Sequence, residues 1–468
     1  MTSASSSLAA LQEPLLRLLL ERAINTSAQI EHLLLNVRSA LLFDATDDAT
    51  SPAAQRPFQN LIEQGGSRFL AALAQQSYLN EYALYETDEE HQRVAILTND
   101  VAQHLAAEGN IPTHKLALLG AYRPLHALPF AAQILHHYLP ANDDFLYRVI
   151  RLQLIGPLHD RALRHEIASL SGIDDPVSIS VRQQYEENPY PRWLHLDHHE
   201  AQTVPAYLQQ LFGQVRLQTY AWPDRPRVLI AGCGTGKQAL SAAMRFAKSD
   251  VLGVDLSLTS LAYARRMGAE LNIDNVTFRQ GDLLALPTDL APFDVIECVG
   301  VLHHLQDPAA GWRQLVARLR PGGCMRIGLY SQTARQMLEP ARALVRERGF
   351  GADLAGIRAF RHHVLSGRPE DPVAAILAAA DFFSTSECRD LVFHVSEQEF
   401  SLPHIAQLLQ EMGLRFLGFE LANDAVLEAY RERFAQDPTA TDLACWAEFE
   451  ALHPHIFASM YQFWVQRV

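Results

Sequence analysis

Three glycines, spaced two residues apart, follow an apolar run near the middle of the chain. They are Gly232, Gly234 and Gly236, and the run is Val228–Ala231. Glycines let the backbone turn sharply beside a ligand, and a helix that starts after them offers free N–H groups to an anionic group. Nicotinamide enzymes would need a third glycine at position 237, where this chain has Lys237. The spacing therefore predicts a cofactor loop and disfavours an oxidoreductase, which stays an alternative.

Two carboxylates follow the next two predicted strands. Asp255 closes the run Asp250–Asp255, and Asp282 comes just after Val276–Gln280. Because the carboxyl ends of parallel strands meet at one edge of a sheet, we expect both side chains in the same crevice. There Asp255 would accept hydrogen bonds from both ribose hydroxyls, and Asp282 from an adenine amino group. The pair predicts a site for an adenosine group.

Three candidate catalytic side chains lie in or after the fourth predicted strand, Phe293–Val299. Glu297 interrupts an apolar run, which is costly unless the acid is paired or catalytic. A structural partner and a contact with cofactor or substrate both stay open for it. His303 and His304 follow the strand. An imidazole there would act as a general base or pack in the core, and both interpretations stay open.

The order and spacing of these features over Arg227–Ser331 resemble class I S-adenosylmethionine-dependent methyltransferases. The segments GVLHHL after the fourth strand and LRPGG before the fifth belong to the same resemblance. More loosely, residues 180–421 resemble bacterial methyltransferases with an N-terminal helical, sometimes tetratricopeptide-like, domain, through Tyr185–Trp193 and Asp381–Pro403. The resemblance implies S-adenosyl-L-methionine as the cofactor and S-adenosyl-L-homocysteine as its product.

The resemblance also implies which positions contact the ligands. The implied cofactor contacts are Gly232, Cys233, Gly234, Gly236, Asp255, Leu256, Asp282, Leu283, Cys298, Val299 and Tyr185. The family usually builds its acceptor site from residues before strand 1 and after strands 4 and 5. That nominates as substrate contacts Tyr190, Trp193, Tyr330, Arg335, Arg389, Asp390 and His394. A core-anchoring role stays open for Tyr185, and a surface ion pair or helix cap for Arg389 and Asp390.

The expected fold class is α/β, with an all-α domain in front of a Rossmann-like, seven-stranded methyltransferase sheet. Residues 8–176 show helical periodicity without strand-like alternation, which predicts the all-α domain. Residues 177–226 predict a linker and cofactor lid, where prolines end a polar helix. Residues 227–468 predict the methyltransferase domain, with a helical substrate insert over residues 332–413, after strand 5.

Composition argues against several classes of protein. The formal net charge of −14 disfavours a nucleic-acid binder, which needs basic surface. The cysteines are scattered without a CxxC pair, so no disulfide framework or zinc site is expected, and Cys233 and Cys298 are interpreted as small core residues. His195, His198 and His199 indicate a polar linker rather than a metal site. No apolar run has the length of a signal peptide or membrane span, so a cytoplasmic protein is expected.

These observations predict methyl transfer to a small-molecule acceptor, with the helical domain covering the site or recruiting a partner. The main alternative is a protein or peptide acceptor, methylated on a cationic side chain, because residues 8–176 exceed what a lid requires. An alternative from another class is a non-catalytic cofactor-binding scaffold. A homodimer is compatible with the sequence, and neither nucleic acid nor a membrane is an expected partner.

Overall fold

The computed structural model describes residues 11, 13–47, 56–108, 111–138, 145–213, 215, 217–421, 423–457 and 460–468. They fold into two compact units, each built from separate stretches of the chain. The helical unit comprises the described residues of Met1–Asp160, Arg192–His195 and Pro340–Phe393. The sheet unit comprises those of Arg161–Pro191, Leu196–Glu339 and His394–Val468.

One seven-stranded sheet, in the order β3-β2-β1-β4-β5-β7-β6, organises the sheet unit. The strands are β1 Arg227–Ala231, β2 Asp250–Asp255, β3 Val276–Gln280, β4 Phe293–Val299, β5 Leu319–Tyr330, β6 Leu414–Phe419 and β7 Met460–Arg467. The first five strands pair in parallel, whereas β7 runs antiparallel between β5 and β6. All the predicted strands are present, which confirms the α/β class and the seven-stranded sheet.

The strand order reverses at β1, with β2 on one side and β4 on the other. Ala231 pairs with Val254 of β2, and Ile230 pairs with Glu297 of β4. Val228, Leu229 and Ile230 have no exposed surface, since helices cover both faces of a parallel sheet. Such a reversal opens a crevice at the carboxyl ends of the strands. The loops that follow β1, β2 and β4 therefore meet at one place.

Helices cover the sheet and precede it. In the sheet unit they are Pro176–Glu187, Val204–Phe212, Lys237–Arg245, Leu258–Glu270, Pro308–Arg318, Gln332–Arg335, Leu402–Glu411, Asp424–Arg433 and Leu443–Leu452. The first stretch of the helical unit ends at Asp160, which lies within the helix Gly156–Leu163. Ser257 and Asp307 cap two of these helices, because their side chains accept the N–H of Ser260 and Ala310.

The helical unit contains no strand among its described residues. Its helices are Pro14–Arg22, Ala28–Thr46, Pro57–Glu63, Ser67–Leu79, Asp88–Glu108, Thr113–Gly120, Ala131–His137, Tyr147–Ile150, Glu339–Arg348, Leu354–Leu365 and Thr385–Val392. Most of the stretch after strand 5 belongs here, because buried Arg361 makes a bidentate ion pair with Glu31 at 2.7 and 2.9 Å. The units thus depart from chain order, whereas the predicted domain bounds follow it. Within the described part of the chain, no helix is both long and apolar enough to cross a membrane.

Candidate cofactor and acceptor site

A cavity of about 570 Å³ lies in the sheet unit at the carboxyl ends of β1, β2 and β4. This volume is within the range of small-molecule sites. Eleven of the predicted site residues line it. They are Tyr185, Tyr190, Gly232, Cys233, Gly234, Asp255, Leu256, Asp282, Leu283, Val299 and His304.

The glycine loop after β1 forms the floor of the cavity. Gly232, Gly234 and Gly236 have φ angles of +71°, +51° and +83°, which side chains disfavour. Gly236 lies directly before the helix Lys237–Arg245. A Cβ on it would lie 2.5 Å from the Cβ of Ala264, so glycine also permits close packing of the following helix. The loop thus brings the backbone and a helix N-terminus to the cavity.

The segment after the helix Pro176–Glu187 lies directly against this loop. A Cβ on Gly234 would lie 2.3 Å from the carbonyl oxygen of Tyr190. The N–H of Thr235 donates to that same oxygen at 3.1 Å, and the Thr235 hydroxyl donates to the carbonyl of Pro191. Backbone hydrogen bonds therefore fix Tyr190 at the cavity wall, and there is no room for a side chain at position 234.

We expect Gly234→Ala to weaken binding of S-adenosylhomocysteine at least about tenfold and to lower the free energy of unfolding by about 2 kcal/mol. The new methyl group must displace the Tyr190 backbone, and the left-handed φ adds strain. Calorimetric titration and denaturant unfolding measure both effects. Gly413→Ala is the matched control, since Gly413 has φ +64° and nothing within 4 Å of a Cβ. Wild-type affinity in Gly234→Ala would contradict the assignment of the loop.

Asp255 joins the glycine loop to the end of β2. Its carboxylate accepts the N–H of Gly234 at 2.7 Å and the N–H of Ser257 at 2.9 Å. Desolvation by burial raises the pKa of Asp255, although these two N–H donors act in the opposite direction. A carboxylate has about four acceptor positions, so it can still accept hydroxyl groups of a ligand. Its place on the cavity wall fits the expected binding of ribose.

Asp282 follows β3 and is almost fully buried, with 2% of its surface exposed. Its Oδ1 accepts the N–H of Leu284 at 2.8 Å, and its own N–H donates to the hydroxyl of Ser171 at 2.9 Å. The segment around Ser171 pairs with the edge of β3, where the N–H of Leu170 donates to the carbonyl of Gln280 at 2.6 Å. This pairing explains why residues from 161 onward pack with the sheet.

Tyr185 lines the cavity. It belongs to the helix Pro176–Glu187, whose position is fixed by one backbone contact and by the contacts of one side chain. The carbonyl of Tyr185 accepts the Ser257 hydroxyl at 3.1 Å. Glu186 accepts the N–H of Leu258 at 2.6 Å and pairs with Arg164 at 2.9 Å. The helix is therefore fixed to the residues that follow Asp255, which fits the predicted role of Tyr185 beside the cofactor.

The two histidines after β4 differ in position. His303 has no exposed surface, and its ring stacks on Tyr330 with centroids 3.6 Å apart. Its Nδ1 accepts the N–H of Tyr330 at 3.3 Å. Burial, with the neighbouring His304 and Arg335, lowers the pKa of His303 well below its usual value. Neutral His303 thus packs against the end of β5 and does not line the cavity, so its contacts support a structural role rather than the predicted catalytic one.

His304 does line the cavity, and it contacts His394, a predicted site residue outside the lining. Its Nδ1 lies 2.9 Å from the carbonyl of Ser396, which requires the proton to be on Nδ1. Its ring stacks on His394 with centroids 3.6 Å apart. His394 in turn has its Nε2 3.4 Å from the Tyr185 hydroxyl. Three segments distant in sequence therefore contact one another beside the cavity, and the Nε2 of His304 is buried.

Glu297 is fully buried and surrounded by cationic and amide groups. Arg245 and Arg326 form ion pairs with it, and Gln238 donates to its Oε2 at 2.8 Å. Burial alone would raise the pKa of Glu297, but the two guanidinium groups and Gln238 outweigh burial and lower it. The acid therefore stays ionised as the centre of a buried network. These contacts support the structural alternative for Glu297 over the catalytic one.

Several predicted residues lie outside the cavity lining. Arg335 makes an ion pair with Glu397, with Nε 2.8 Å from Oε1, and its guanidinium covers the Tyr330 ring at 3.7 Å. These contacts support a structural role for Arg335 and Tyr330, and their substrate contact stays a prediction. Cys298 is part of the apolar core, and Gly236 packs on Ala264. The remaining three, which belong to the helical unit and keep their substrate role as a prediction, are Trp193, Arg389 and Asp390.

Sequence reasoning missed a polar part of the lining. It comes from one face of the helix Lys237–Arg245 and from the facing strands, and consists of Lys237, Gln238, Ser241, Arg245, Arg326 and Gln462. Spacing by three or four residues places the four helical members on one face. That periodicity was visible in the sequence, but which strands lie opposite it was not, because β7 comes last in the chain and lies beside β5.

Comparison with known proteins agrees with this site. Residues 228–323 match the methyltransferase domain family. An uncharacterised protein of Synechococcus is 30% identical over 207 residues, which cover 42% of this chain and 48% of the relative. A ubiquinone biosynthesis O-methyltransferase of Bordetella avium is 40% identical over 98 residues, or 21% of this chain and 39% of the relative. The chain thus spans less than half the length of these curated relatives.

Among solved structures, PKMT2 from Rickettsia typhi in complex with AdoHcy is similar at 18% identity, with a TM-score of 0.42. The alignment covers 59% of this chain and 54% of that one. The domain match itself includes the glycine loop, Asp255, Asp282 and β4. Within this match, Gly232, Gly234, Asp255, Asp282 and Val299 line the cavity, in a sheet whose order reverses at β1. This chain therefore carries a class I S-adenosylmethionine-dependent methyltransferase domain, which confirms the predicted family and cofactor.

Proposed function

We propose that the protein transfers a methyl group from S-adenosyl-L-methionine to a small-molecule acceptor. One observation carries the proposal: a single cavity is lined both by Asp255 and Asp282 and by Val299 and His304. Methyl transfer requires that donor and acceptor be aligned and kept from water. A cavity shared by both ligands meets that requirement within the sheet unit alone.

The residues fit the cofactor. Bound S-adenosyl-L-methionine supplies a methyl group on a positively charged sulfonium, which reacts by in-line displacement. Asp255 would accept the ribose hydroxyls, and Asp282 the adenine amino group, while Leu256 and Leu283 supply apolar contacts to the adenine. The glycine loop lets the methionine part pass close to the backbone. The chain's own contribution is therefore binding and alignment.

The acceptor end has mainly apolar walls. Val177 and Val181 of the helix that carries Tyr185 line the cavity together with Val301 and Met460. A cavity of this size suits a small organic molecule better than a folded protein surface. The Bordetella avium relative is by name an O-methyltransferase, and its match supports the type of reaction. The matched segment is too short to indicate the acceptor.

His304 has a defined place in this proposal. The Nδ1 proton of His304 is directed at the Ser396 carbonyl. The lone pair of the ring is therefore on Nε2, which is buried. A proton transfer through Nε2 would require the ring to move. We therefore assign His304 to shaping the acceptor end, with general-base catalysis as the alternative, which a pH profile of kcat in His304→Gln tests.

Transfer of a labelled methyl group tests the proposed function. Purified protein and labelled S-adenosyl-L-methionine are incubated with a cell lysate, which is then separated into macromolecular and small-molecule fractions. We expect label in the small-molecule fraction, and none with Asp255→Ala. Label in protein would favour the alternative of a protein or peptide acceptor. Absence of label in both fractions, with S-adenosylhomocysteine still bound, would favour the non-catalytic scaffold.

A further inference from the structure

The polar end of the cavity has no assigned role in the proposed function. It is formed by Gln238, Ser241 and Arg245 of one helix, by Arg326 of β5 and by Gln462 of β7. Arg326 lies directly opposite Glu297 in the sheet, and both side chains point to the face covered by that helix. The polar end is therefore built from two sides.

The Arg245 guanidinium shares a carboxylate partner with Gln238, which lies in the first turn of the same helix. Glu297 accepts Gln238 on Oε2 and Arg245 on Oε1, although these two donors are seven residues apart. Helical side chains lean towards the N-terminus, and the long arginine side chain spans the two turns. One carboxylate thus holds the guanidinium beside Gln238, two residues after the glycine loop. Arg245 lines the same cavity as Gly232 and Gly234 of the glycine loop.

Arg245 and Gln462 each have a donor group without a protein acceptor within the described chain. Arg245 donates to Glu297 through Nη2, which leaves its Nη1 hydrogens available. Gln462 accepts from Arg326 through Oε1 at 2.9 Å, so its Nε2 is turned away from that guanidinium. Arg326 is different, since its Nη1 is engaged by Glu297 and its Nη2 by Glu420 and Gln462. The available groups are donors on both the helix and the sheet.

The charges around the polar end do not cancel. Arg245, Arg326 and Lys237 are cationic, and Glu297 and Glu420 are the anions paired with the arginines. Lys237 is exposed at the cavity and makes no ion pair with a described residue. One positive charge is left over, next to hydrogen-bond donors. Such a combination favours an oxyanion, and a carboxylate matches the planar fork of a guanidinium.

We propose that Arg245 and Gln462, assisted by Lys237, form a carboxylate-binding end of the cavity. This inference rests on the proposed function, because it assumes that cofactor and acceptor share the cavity. The carboxylate can belong to the methionine part of the cofactor or to an organic acid that serves as the acceptor. Both sources use the same donors, so the experiment has to distinguish them.

The test uses the full chain and two nucleosides. S-adenosylhomocysteine carries the carboxylate, and 5′-methylthioadenosine lacks it. The variants are Arg245→Gln and Gln462→Glu. Gln462→Glu keeps the acceptor for Arg326 and adds a negative charge, so it is expected to fold even if Arg245→Gln does not. Gln210→Glu is the control, since exposed Gln210 also accepts a hydrogen bond through Oε1, from Gln202 at 3.1 Å.

If the carboxylate is that of the cofactor, both variants weaken S-adenosylhomocysteine at least about tenfold in calorimetry and leave 5′-methylthioadenosine unchanged. If it belongs to the acceptor, both nucleosides bind normally. Succinate or citrate then raises the melting temperature of the wild type saturated with S-adenosylhomocysteine, but not that of the variants. The inference is overturned if both variants bind S-adenosylhomocysteine like the wild type and also respond to succinate and citrate like the wild type. If the wild type binds neither nucleoside, the proposed function itself is overturned.

Discussion

Asp255→Ala should raise the dissociation constant of S-adenosylhomocysteine at least about 100-fold. A hydrogen bond to a charged group contributes about 1.5–3 kcal/mol, and the two ribose hydroxyls would lose such bonds together. The variant also releases the N–H groups of Gly234 and Ser257, which Asp255 holds at 2.7 and 2.9 Å. The glycine loop then loses its fixed position, so both direct contact and loop geometry are affected. Calorimetric titration measures the change.

Asp250→Ala is the matched control for this prediction. Asp250 opens the same strand that Asp255 closes, and it is exposed. Its removal should leave the affinity within about twofold of the wild type, since surface substitutions have small effects.

A second measurement of the role of Asp255 uses the pH dependence of binding. Because burial raises the pKa of Asp255, affinity should fall with decreasing pH at a higher pH than an ordinary aspartate would produce. Unchanged binding by Asp255→Ala would refute the ribose assignment.

Glu297→Ala should lower the free energy of unfolding by about 3–5 kcal/mol, the usual cost of breaking a buried ion pair. Arg245 and Arg326 would keep their charges in a buried place without this partner, and Gln238 would lose its acceptor. Chemical denaturation monitored by tryptophan fluorescence measures the loss. A residue that acts only in catalysis could be removed with little change in the free energy of unfolding. A large loss of stability would therefore indicate a structural role for Glu297.

The pH dependence of this effect has a definite sign. The folded state lowers the pKa of Glu297, so its stabilisation is present above the ordinary glutamate value of about 4.3. It is lost as the pH falls through the lowered folded value. The difference in stability between wild type and Glu297→Ala should therefore shrink in acid. Glu270→Ala is the control, because Glu270 pairs with Arg266 one turn away and is one-third exposed, and it should cost less than about 0.5 kcal/mol. A comparable cost for both variants would contradict the buried network.

The sequence alone was sufficient for the strands and the cofactor loop, because these depend on local patterns. Apolar runs such as Val228–Ala231 predict buried strands wherever they occur. The glycines at 232 and 234 and the acids at 255 and 282 each follow such a run, and parallel strands bring their carboxyl ends together. Local order along the chain therefore determined the adenosine end of the cavity.

Only the tertiary structure decided between the roles that the sequence left open. Glu297 and His303 have the residue types of catalytic groups, but their neighbours Arg245, Arg326 and Tyr330 come from other elements and give them structural contacts. Pairing of this kind depends on which strands are adjacent. The sheet places the last strand next to the fifth, and no local pattern specifies that neighbour.

The same reason explains the acceptor side. Tyr185 and His304 both contact His394 although long stretches of chain separate the three residues. Arg245 and Gln238 share one carboxylate partner because Glu297 lies on a strand beside their helix. Methyl-donor recognition was thus readable from the order of residues, since it is built along consecutive strands. The walls of the acceptor end and its polar extension arise from contacts between distant segments, which exist only once the chain has folded.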